Sequence, residues 1–217
     1  MLPLLLLSAV VADPNDFVVP RGQLTFDVEG NEGGRWHSRT PHVPSEGSGL
    51  TIGRGYDMKY RSAEQIKKQM TAAGFSEEAA DLYAGGAGLW GAKAREYMKA
   101  TELPEITPAQ QRALFLITFD EIAEYARQIC TSDEVVKQYG PVDWDKLHPT
   151  IRDLVIDLRY RGDYTAKSRE YVQPLVVKND LKGLAEVLAD REKWAKVPDD
   201  RFNRRAAYAK KAVDASK

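Results

Sequence analysis

After Tyr60 the apolar residues recur at helical spacing, and capping and turn residues divide this pattern into segments. Ser62-Ala63-Glu64-Gln65 has the form of a capping box and predicts a helix to about residue 73, and Ser76-Glu77-Glu78 predicts the start of the next helix. Gly85-Gly86 breaks that second helix, and the helical spacing resumes over residues 89–100. Further helices are predicted at 132–139, 149–160, 168–177, 180–190 and 199–215.

The longest predicted helix follows Thr107-Pro108 and runs from residue 109 to about residue 129. Its apolar residues leave little polar surface in the first half of the helix: Ala113, Leu114, Leu116, Ile117, Ile122 and Ala123. A helix that is apolar on most sides is typically buried. We therefore expect this segment to be the buried central helix.

Residues 21–60 have a different pattern, with few apolar positions at helical spacing. They contain eight glycines: Gly22, Gly30, Gly33, Gly34, Gly47, Gly49, Gly53 and Gly55. The run from Leu50 to Tyr56 predicts a short strand in which the backbone approaches other groups closely. The fold class predicted for residues 21–217 is therefore α+β, with a small Gly-rich β lobe near the N-terminus and a larger, mainly helical lobe.

The first 20 residues are set apart from this pattern. Residues 1–12 are apolar, end in a possible cleavage site at Ala12 and contain no Lys or Arg. They are short for a signal peptide and far too short to span a bilayer. Three interpretations stay open, namely a signal, an apolar segment that packs on the domain, and a boundary inherited from a larger protein. Residues 13–20, with Pro14 and Pro20, predict a linker.

Charge and cysteine content exclude several classes of protein. The 31 basic and 32 acidic residues give a net charge of −1, so bulk charge does not favour binding to nucleic acid. The composition is that of a globular chain and excludes a multi-span membrane protein. Cys130 is the single cysteine, which rules out an intrachain disulfide and indicates a small buried apolar side chain.

The motifs of common cofactor and metal sites are missing from the sequence. Gly53-Arg54-Gly55 lacks the third glycine of a dinucleotide-binding loop, because Met58 occupies that position. His37 and His42 with Glu46 could hold a metal, but they have no metalloprotease spacing and a polar loop is the favoured interpretation. We expect no cofactor and no metal.

Two carboxylates beside the glycines are candidates for acid–base chemistry. Glycoside hydrolysis needs one protonated carboxyl to donate to the leaving oxygen and one ionised carboxylate. Glu29 follows Val28 and lies near Phe26, and an apolar setting raises a carboxyl pKa, so it suits the acid. Asp57 ends the Gly-rich strand and suits the ionised partner. On spacing alone other carboxylates, namely Asp27, Glu32 and Glu46, are equally eligible.

Four short motifs resemble phage-type lysozymes. Phe26-Asp27-Val28-Glu29-Gly30 and Gly49-Leu50-Thr51-Ile52-Gly53-Arg54-Gly55-Tyr56-Asp57 are similar to the active-site lobe of that family, which has Glu-Gly at the end of its first helix and Thr-x-Gly-x-Gly on a strand. The run from Ile106 to Leu114 resembles its central helix, and Asn203-Arg204-Arg205 resembles the start of its last helix. The resemblance extends over about residues 21–215 and is weakest over 131–200.

The position of the second carboxylate points to one branch of this superfamily. In the pesticin-like bacterial toxins this carboxylate lies six residues after the threonine, as Asp57 lies six after Thr51. In the phage enzymes it lies about six before the threonine, where this chain has Ser45 with Glu46 adjacent. The resemblance therefore favours Asp57 over Glu46.

The resemblance also implies roles for individual residues. Glu29 would be the general acid, Asp57 the ionised carboxylate, and Thr51 would hold the attacking water by its hydroxyl. Arg204 would orient Glu29 or would be an ordinary arginine near the start of a helix. Arg54 and Tyr56 would line the sugar groove, although Tyr56 could equally belong to the core, since strand alternation places both on one face.

The activity implied is that of a muramidase, which cleaves the β-1,4 bond between N-acetylmuramic acid and N-acetylglucosamine in peptidoglycan. The phage enzymes invert, which predicts carboxyl groups roughly 6.5–9.5 Å apart, whereas a separation near 5 Å favours retention. Alternatives are a lytic transglycosylase or chitosanase-like enzyme and a non-catalytic wall-binding module.

The near-neutral charge favours delivery by a carrier over steering by long-range attraction to anionic walls. It suits a secreted toxin or effector delivered to the target periplasm, with a phage endolysin as the alternative role. The expected partners are peptidoglycan glycan strands and an immunity protein. We expect a monomer, with no stable membrane insertion.

Overall fold

A computed structural model describes residues 13–34 and 37–216. These residues divide into two compact units. The first unit contains residues 13–19 and Asn31–Leu114, and the second contains Pro20–Gly30 and residues 115–216. The apolar segment over residues 1–12 lies outside the described part of the chain, and a single catalytic domain over residues 21–217 stays a prediction.

Helices dominate the described residues, and a two-stranded antiparallel sheet accompanies them, so the fold is α+β in the broad sense. The strands are β1 (Thr51–Ile52) and β2 (Tyr56–Asp57), and short 3₁₀ helices cover Pro14–Phe17 and Trp144–Lys146. The α-helices are α1 (Gln23–Val28), α2 (Ala63–Ala72), α3 (Glu77–Ala84), α4 (Gly91–Ala100), α5 (Pro108–Thr131), α6 (Asp133–Tyr139), α7 (Pro149–Arg161), α8 (Ala166–Val177), α9 (Leu181–Leu188) and α10 (Asp199–Ala215). No helix within residues 13–34 and 37–216 has both the length and the apolar character needed to cross a bilayer.

The first unit contains the sheet and the helix pair α2 and α3, which pack on each other. Ser62 and Ser76 cap these helices as predicted, since their hydroxyls accept hydrogen bonds from the Gln65 and Ala79 amides at 3.1 and 3.2 Å. The buried apolar residues of this unit include Leu50, Ile52, Met58, Ile66, Met70, Phe75, Ala80, Tyr83, Ile106 and Leu114.

The prediction of one strand from Leu50 to Tyr56 is wrong, because the chain reverses within it. β1 and β2 form a hairpin in which Thr51 pairs with Asp57 and Ile52 pairs with Tyr56. Gly53 and Gly55 occupy the turn with φ values of 64° and 92°. Only glycine adopts this conformation without steric cost, so the glycines end one strand and begin the other.

Part of the segment predicted as a linker forms a 3₁₀ helix, Pro14–Phe17. The Asp13 carboxylate caps it by accepting a hydrogen bond from the Asn15 amide at 2.9 Å. Val19 is buried, and the Arg112 guanidinium donates to the Val18 carbonyl at 2.7 Å. The segment is therefore packed into the first unit and does not run free of it.

The second unit is helical. α9 packs against α8 and α10, and α1 contacts α7 and α10. Phe26 on α1 meets Phe115 edge to face, with ring centroids 5.0 Å apart. Gly22 precedes α1 at φ 69°, and a side chain there would overlap the Phe119 ring. Other buried apolar residues of the unit include Leu24, Ala126, Ile151, Leu154, Val155, Leu158, Val172, Val176, Leu184 and Leu188.

Helix α5 forms as predicted, but it is not buried on most sides. In its first half the buried residues follow one stripe at helical spacing, which consists of Pro108, Gln111, Leu114, Phe115, Thr118 and Phe119. Five of the apolar residues on which the prediction rested are only partly buried: Ala113, Leu116, Ile117, Ile122 and Ala123. Apolar content therefore overestimated the burial of this helix.

Two smaller predictions are confirmed. Cys130 is free and fully buried, and its Sγ lies 3.1 Å from the Tyr164 hydroxyl. Burial raises the pKa of this thiol above its ordinary value. Gly162 ends α7 in the left-handed conformation at φ 87°, which supplies the predicted stop.

Candidate functional site

Glu29 is the residue that ends α1. Its amide donates to the Thr25 carbonyl at 3.0 Å, and Gly30 follows. Leu24, Thr25 and Phe26 are buried, which fixes the helix that carries Glu29. The Glu29 side chain is 21% exposed, so solvent or a ligand can reach its carboxyl group.

The Glu29 carboxylate is held by an arginine and is not in the apolar setting that the sequence predicts. Arg201, in the first turn of α10, donates from Nη1 to Glu29 Oε1 and from Nη2 to Asp157 Oδ1 at 2.7 Å. Burial alone would lower the pKa of Arg201, but the charges of Asp157 and Glu29 outweigh it and raise the pKa. Arg201 therefore remains a cation while it is almost fully buried.

The ion pair of Glu29 and Arg201 belongs to a larger set of alternating charges in the second unit, which we call the charge network. Its members are Glu29, Arg201, Asp157, Arg205, Asp163 and Arg161. Asp157 is fully buried and also accepts hydrogen bonds from Arg205 Nε at 2.8 Å and from the Thr25 hydroxyl at 3.1 Å. Arg205 donates to Asp163 Oδ2 at 3.1 Å, and Arg161 binds the other oxygen of Asp163. Three carboxylates thus face three guanidinium groups, so every charge of this network has a partner.

Arg204 does not have the predicted orienting position beside Glu29. Its guanidinium is 51% exposed and binds Asp200, one helical turn earlier, at 3.0 Å. The buried residues of α10 are Arg201, Arg205 and Ala209, which recur every four residues. Arg204 lies off this stripe, so Arg201 takes the role that the sequence motif suggested for its neighbour.

Thr51 and Asp57 are brought together in the first unit as opposite residues of the hairpin. The Asp57 carboxylate accepts hydrogen bonds from the Gly49 amide at 3.2 Å and from the Lys59 amide at 2.8 Å. The Thr51 hydroxyl donates to the Gly49 carbonyl at 3.1 Å, and the Thr51 residue is 5% exposed. Backbone groups around Gly49 therefore orient both side chains.

Glycine is required at position 49 because the Asp57 carboxylate lies against the backbone there. A Cβ at this position would overlap Asp57 Oδ1 and would lie 2.7 Å from the Lys59 nitrogen. The close approach predicted for this Gly-rich segment is confirmed at Gly49. The absence of a side chain there makes room for the Asp57 carboxylate.

Arg54 and Tyr56 do not line a groove. Arg54 lies in the hairpin turn, is 5% exposed and donates to Glu32 Oε1 at 2.9 Å. Tyr56 is fully buried, and its hydroxyl donates to the Gln69 side chain at 2.6 Å. The alternative interpretation of Tyr56 as a core residue is confirmed, and a substrate-binding role for either side chain conflicts with its burial.

The Glu32 carboxylate accepts hydrogen bonds from Arg54 and from two further side chains. Gln111 Nε2 donates to it at 2.7 Å and Arg39 Nε at 3.0 Å. Burial alone would raise the pKa of Glu32, but these hydrogen bonds and that from Arg54 outweigh it and hold the pKa below its ordinary value. Glu32 therefore acts as a structural anion under the hairpin turn.

Glu46, the alternative second carboxylate, is 82% exposed and pairs with Arg95. In the described part of the chain, no three side chains from His, Cys, Asp and Glu form a cluster suited to a metal ion.

Comparison with known protein families matches residues 22–206 to a family described as "Domain of unknown function (DUF8812)". The matched range includes Glu29, Thr51, Asp57 and Arg201. A comparison with curated proteins gives no match.

Proposed function

We propose a function for this chain, which belongs to the DUF8812 family of domains of unknown function. The function proposed is that of a peptidoglycan hydrolase. More narrowly, we propose a muramidase with a lysozyme-like fold. Glu29 would donate a proton to the leaving glycosidic oxygen, while Asp57 and Thr51 would orient the attacking water. The proposed substrates are the glycan strands of the bacterial wall.

The observation that supports this proposal most directly is the way in which Glu29 is held. Arg201 binds one carboxyl oxygen, Oε1, and the second oxygen makes no hydrogen bond to the described residues. This arrangement fixes the orientation of the carboxyl group through one oxygen and leaves the other oxygen to carry the transferred proton. Arg201 also binds Asp157, so its charge is shared and Glu29 is not its only counter-ion.

The hairpin supplies the second part of the proposed chemistry. Asp57 is a partly exposed carboxylate fixed by two backbone amides, and the Thr51 hydroxyl is fixed by its hydrogen bond to Gly49. A water molecule that donates to such a carboxylate becomes a better nucleophile, and a second acceptor beside it restricts the water's direction. Side chains anchored on backbone groups keep this geometry without rearrangement during the reaction.

Digestion of purified peptidoglycan tests the proposal. Glu29→Gln should lower the release of reducing ends by about 10²- to 10⁴-fold, the usual contribution of a general acid, and Asp57→Asn should lower it strongly as well. Glu46→Gln is the matched control, because it alters the exposed alternative carboxylate and should leave activity unchanged. Circular dichroism of each variant checks that the fold is retained.

The results separate the proposed activity from its alternatives. A Glu29→Gln variant with full activity would show that Glu29 is not the acid. Mass spectrometry of the products distinguishes hydrolysis from lytic transglycosylation, which yields 1,6-anhydro sugars and needs a single carboxyl group. A wild-type chain that binds the wall without releasing products would contradict the enzymatic proposal and favour a wall-binding module.

The biological setting proposed with this activity is that of a toxin or effector delivered to the periplasm of a target bacterium. An immunity protein that blocks the enzyme is the partner expected in that setting. The neighbouring reading frames test this role, because a small periplasmic protein would support a toxin and a holin would support a phage endolysin.

A further inference from the structure

Two large aromatic side chains of the first unit face solvent. Tyr60 is 87% exposed and Trp90 is 54% exposed. Trp90 is not on a loose loop, because its backbone forms an antiparallel bridge with Gly49 and it directly precedes α4. An exposed tryptophan fixed by its backbone keeps a large apolar surface in water, which is typical of binding surfaces.

A lysine links the two aromatic rings. The Lys59 ammonium lies 4.9 Å from the centroid of the Tyr60 ring and 5.0 Å from that of the Trp90 ring. The two centroids are therefore no farther apart than the sum of these distances, a span that a disaccharide covers. Lys59 Nζ also donates to the Gly47 carbonyl at 2.8 Å, which fixes the ammonium group. We call Lys59, Tyr60 and Trp90 the aromatic platform.

The backbone segments that carry the platform also hold Asp57. The Lys59 amide donates to the Asp57 carboxylate, and so does the amide of Gly49, the residue paired with Trp90. The platform and the carboxylate assigned to the second catalytic role therefore share the backbone of Gly49 and Lys59. The platform and Asp57 both belong to the first unit, so their proximity is a property of that unit alone.

The chemistry of the platform selects a ligand with apolar faces and negative charge. The C–H faces of a pyranose ring pack on aromatic rings, while the Lys59 ammonium attracts an anion. Muramic acid residues combine both features, because their lactyl group ends in a carboxylate or carries a peptide stem with carboxylates. Chitin has the same backbone sugar and no such charge.

We propose that the aromatic platform is a binding site for the glycan strand of peptidoglycan, with Lys59 as the residue that selects muramyl units by their negative charge. This inference rests on the proposed function, since it assigns the substrate class to the unit that carries the hairpin. Trp90 and Tyr60 supply affinity for the sugar rings, and Lys59 supplies the preference for peptidoglycan over chitin.

Binding without turnover tests the platform. The full chain with Glu29→Gln is incubated with peptidoglycan sacculi or with chitin, and the bound fraction gives an apparent affinity. Adding Trp90→Ala or Tyr60→Ala should weaken binding to both polymers by about tenfold, as expected for an aromatic contact of ordinary strength. Trp90→Phe should restore most of the loss, because it returns an aromatic face.

Lys59→Gln keeps the backbone amide that binds Asp57 and replaces the ammonium group, with its contacts to Gly47 and the two rings, by a neutral amide. It should weaken binding to sacculi several-fold, by about the value of one partly exposed ion pair, and leave binding to chitin unchanged. Tyr125→Ala is the matched control, because Tyr125 is similarly exposed at 55% but lies on α5, in the second unit. Sacculi stripped of teichoic acid are used, so that a second anionic polymer does not contribute.

The outcomes separate this inference from the proposed function. If Trp90→Ala and Tyr60→Ala bind sacculi as tightly as Tyr125→Ala does, the platform is wrong even where Glu29-dependent cleavage is observed. If Lys59→Gln weakens both polymers equally, or neither, charge selection is wrong. If the wild-type chain fails to cleave peptidoglycan while binding depends on Trp90, the enzymatic proposal fails and the binding site stands.

Discussion

Asp157→Asn should destabilise the second unit by about 3–5 kcal/mol, the usual cost of removing one partner from a buried ion pair. Asparagine preserves the size of the side chain but removes the negative charge that faces Arg201 and Arg205. Both charge-assisted hydrogen bonds are short, at 2.7 and 2.8 Å, and Asp157 is fully buried, so water cannot replace the lost charge. The two arginines keep Glu29 and Asp163 as their remaining counter-ions.

Urea unfolding followed by far-UV circular dichroism measures this loss by linear extrapolation. For a chain of this length the same loss should lower the melting temperature by roughly 6–20 °C, at about 2–4 °C per kcal/mol. Asp200→Asn is the matched control, because it breaks the exposed ion pair with Arg204 on α10, the helix that carries Arg201 and Arg205, and should cost no more than about 0.5 kcal/mol.

The comparison of the two variants decides whether the charge network is structural. If Asp157→Asn is no more destabilising than Asp200→Asn, the buried charges are not coupled as their distances indicate. Asp157 also connects stability to the proposed activity, because it binds Arg201, the arginine that contacts Glu29. Asp157→Asn should therefore lower the turnover rate for peptidoglycan, and Asp200→Asn should not.

Smaller predictions concern pH, thiol reactivity and backbone conformation. The lowered pKa of Glu32 means that its stabilising contribution is complete above its ordinary value of 4.5 and is lost as the pH falls through the folded-state pKa. The difference in unfolding free energy between wild type and Glu32→Gln should shrink from pH 7 to pH 3, and a constant difference would contradict this. Cys130, buried with a raised pKa, should react with a thiol reagent only after urea is added, and rapid labelling of the native chain would show otherwise. Gly22→Ala should cost about 1–3 kcal/mol because its methyl overlaps Phe119, whereas Gly33→Ala, also at positive φ but with open space around it, should cost less in the same urea assay.

Local signals predicted the helices after Tyr60 well, whereas α1 lies in the segment interpreted as a β lobe. Ser62 and Ser76 accept the capping hydrogen bonds that their positions indicated, and Gly162 ends its helix in the conformation that favours glycine. These signals act within one turn of the chain, so they are visible in the sequence without knowledge of the fold. The helix boundaries are for this reason the most predictable part of the structure.

The hairpin was harder to predict because its strands are two residues long. Alternation cannot be recognised over two positions, so the run through Gly53 and Gly55 resembled one continuous strand. That error placed Arg54 beside Tyr56 on one strand face, whereas Arg54 lies in the turn and binds Glu32. The expectation that Arg54 lines a sugar groove depended on this predicted strand, so it is wrong for the same reason.

The arginine beside Glu29 was missed because hydropathy assigns arginine to the surface. The motif pointed to Arg204, but the four-residue spacing of Arg201, Arg205 and Ala209 defines the buried face of α10. A second signal was present in α7, where Asp157 is the single charge in Leu154-Val155-Ile156-Asp157-Leu158. A carboxylate inside such an apolar run is a candidate for burial, and a buried carboxylate needs a partner. Two arginines at positions i and i+4 lie on one helix face and can bind the same carboxylate, and Arg201 and Arg205 have this spacing whereas Arg204 lies off their face.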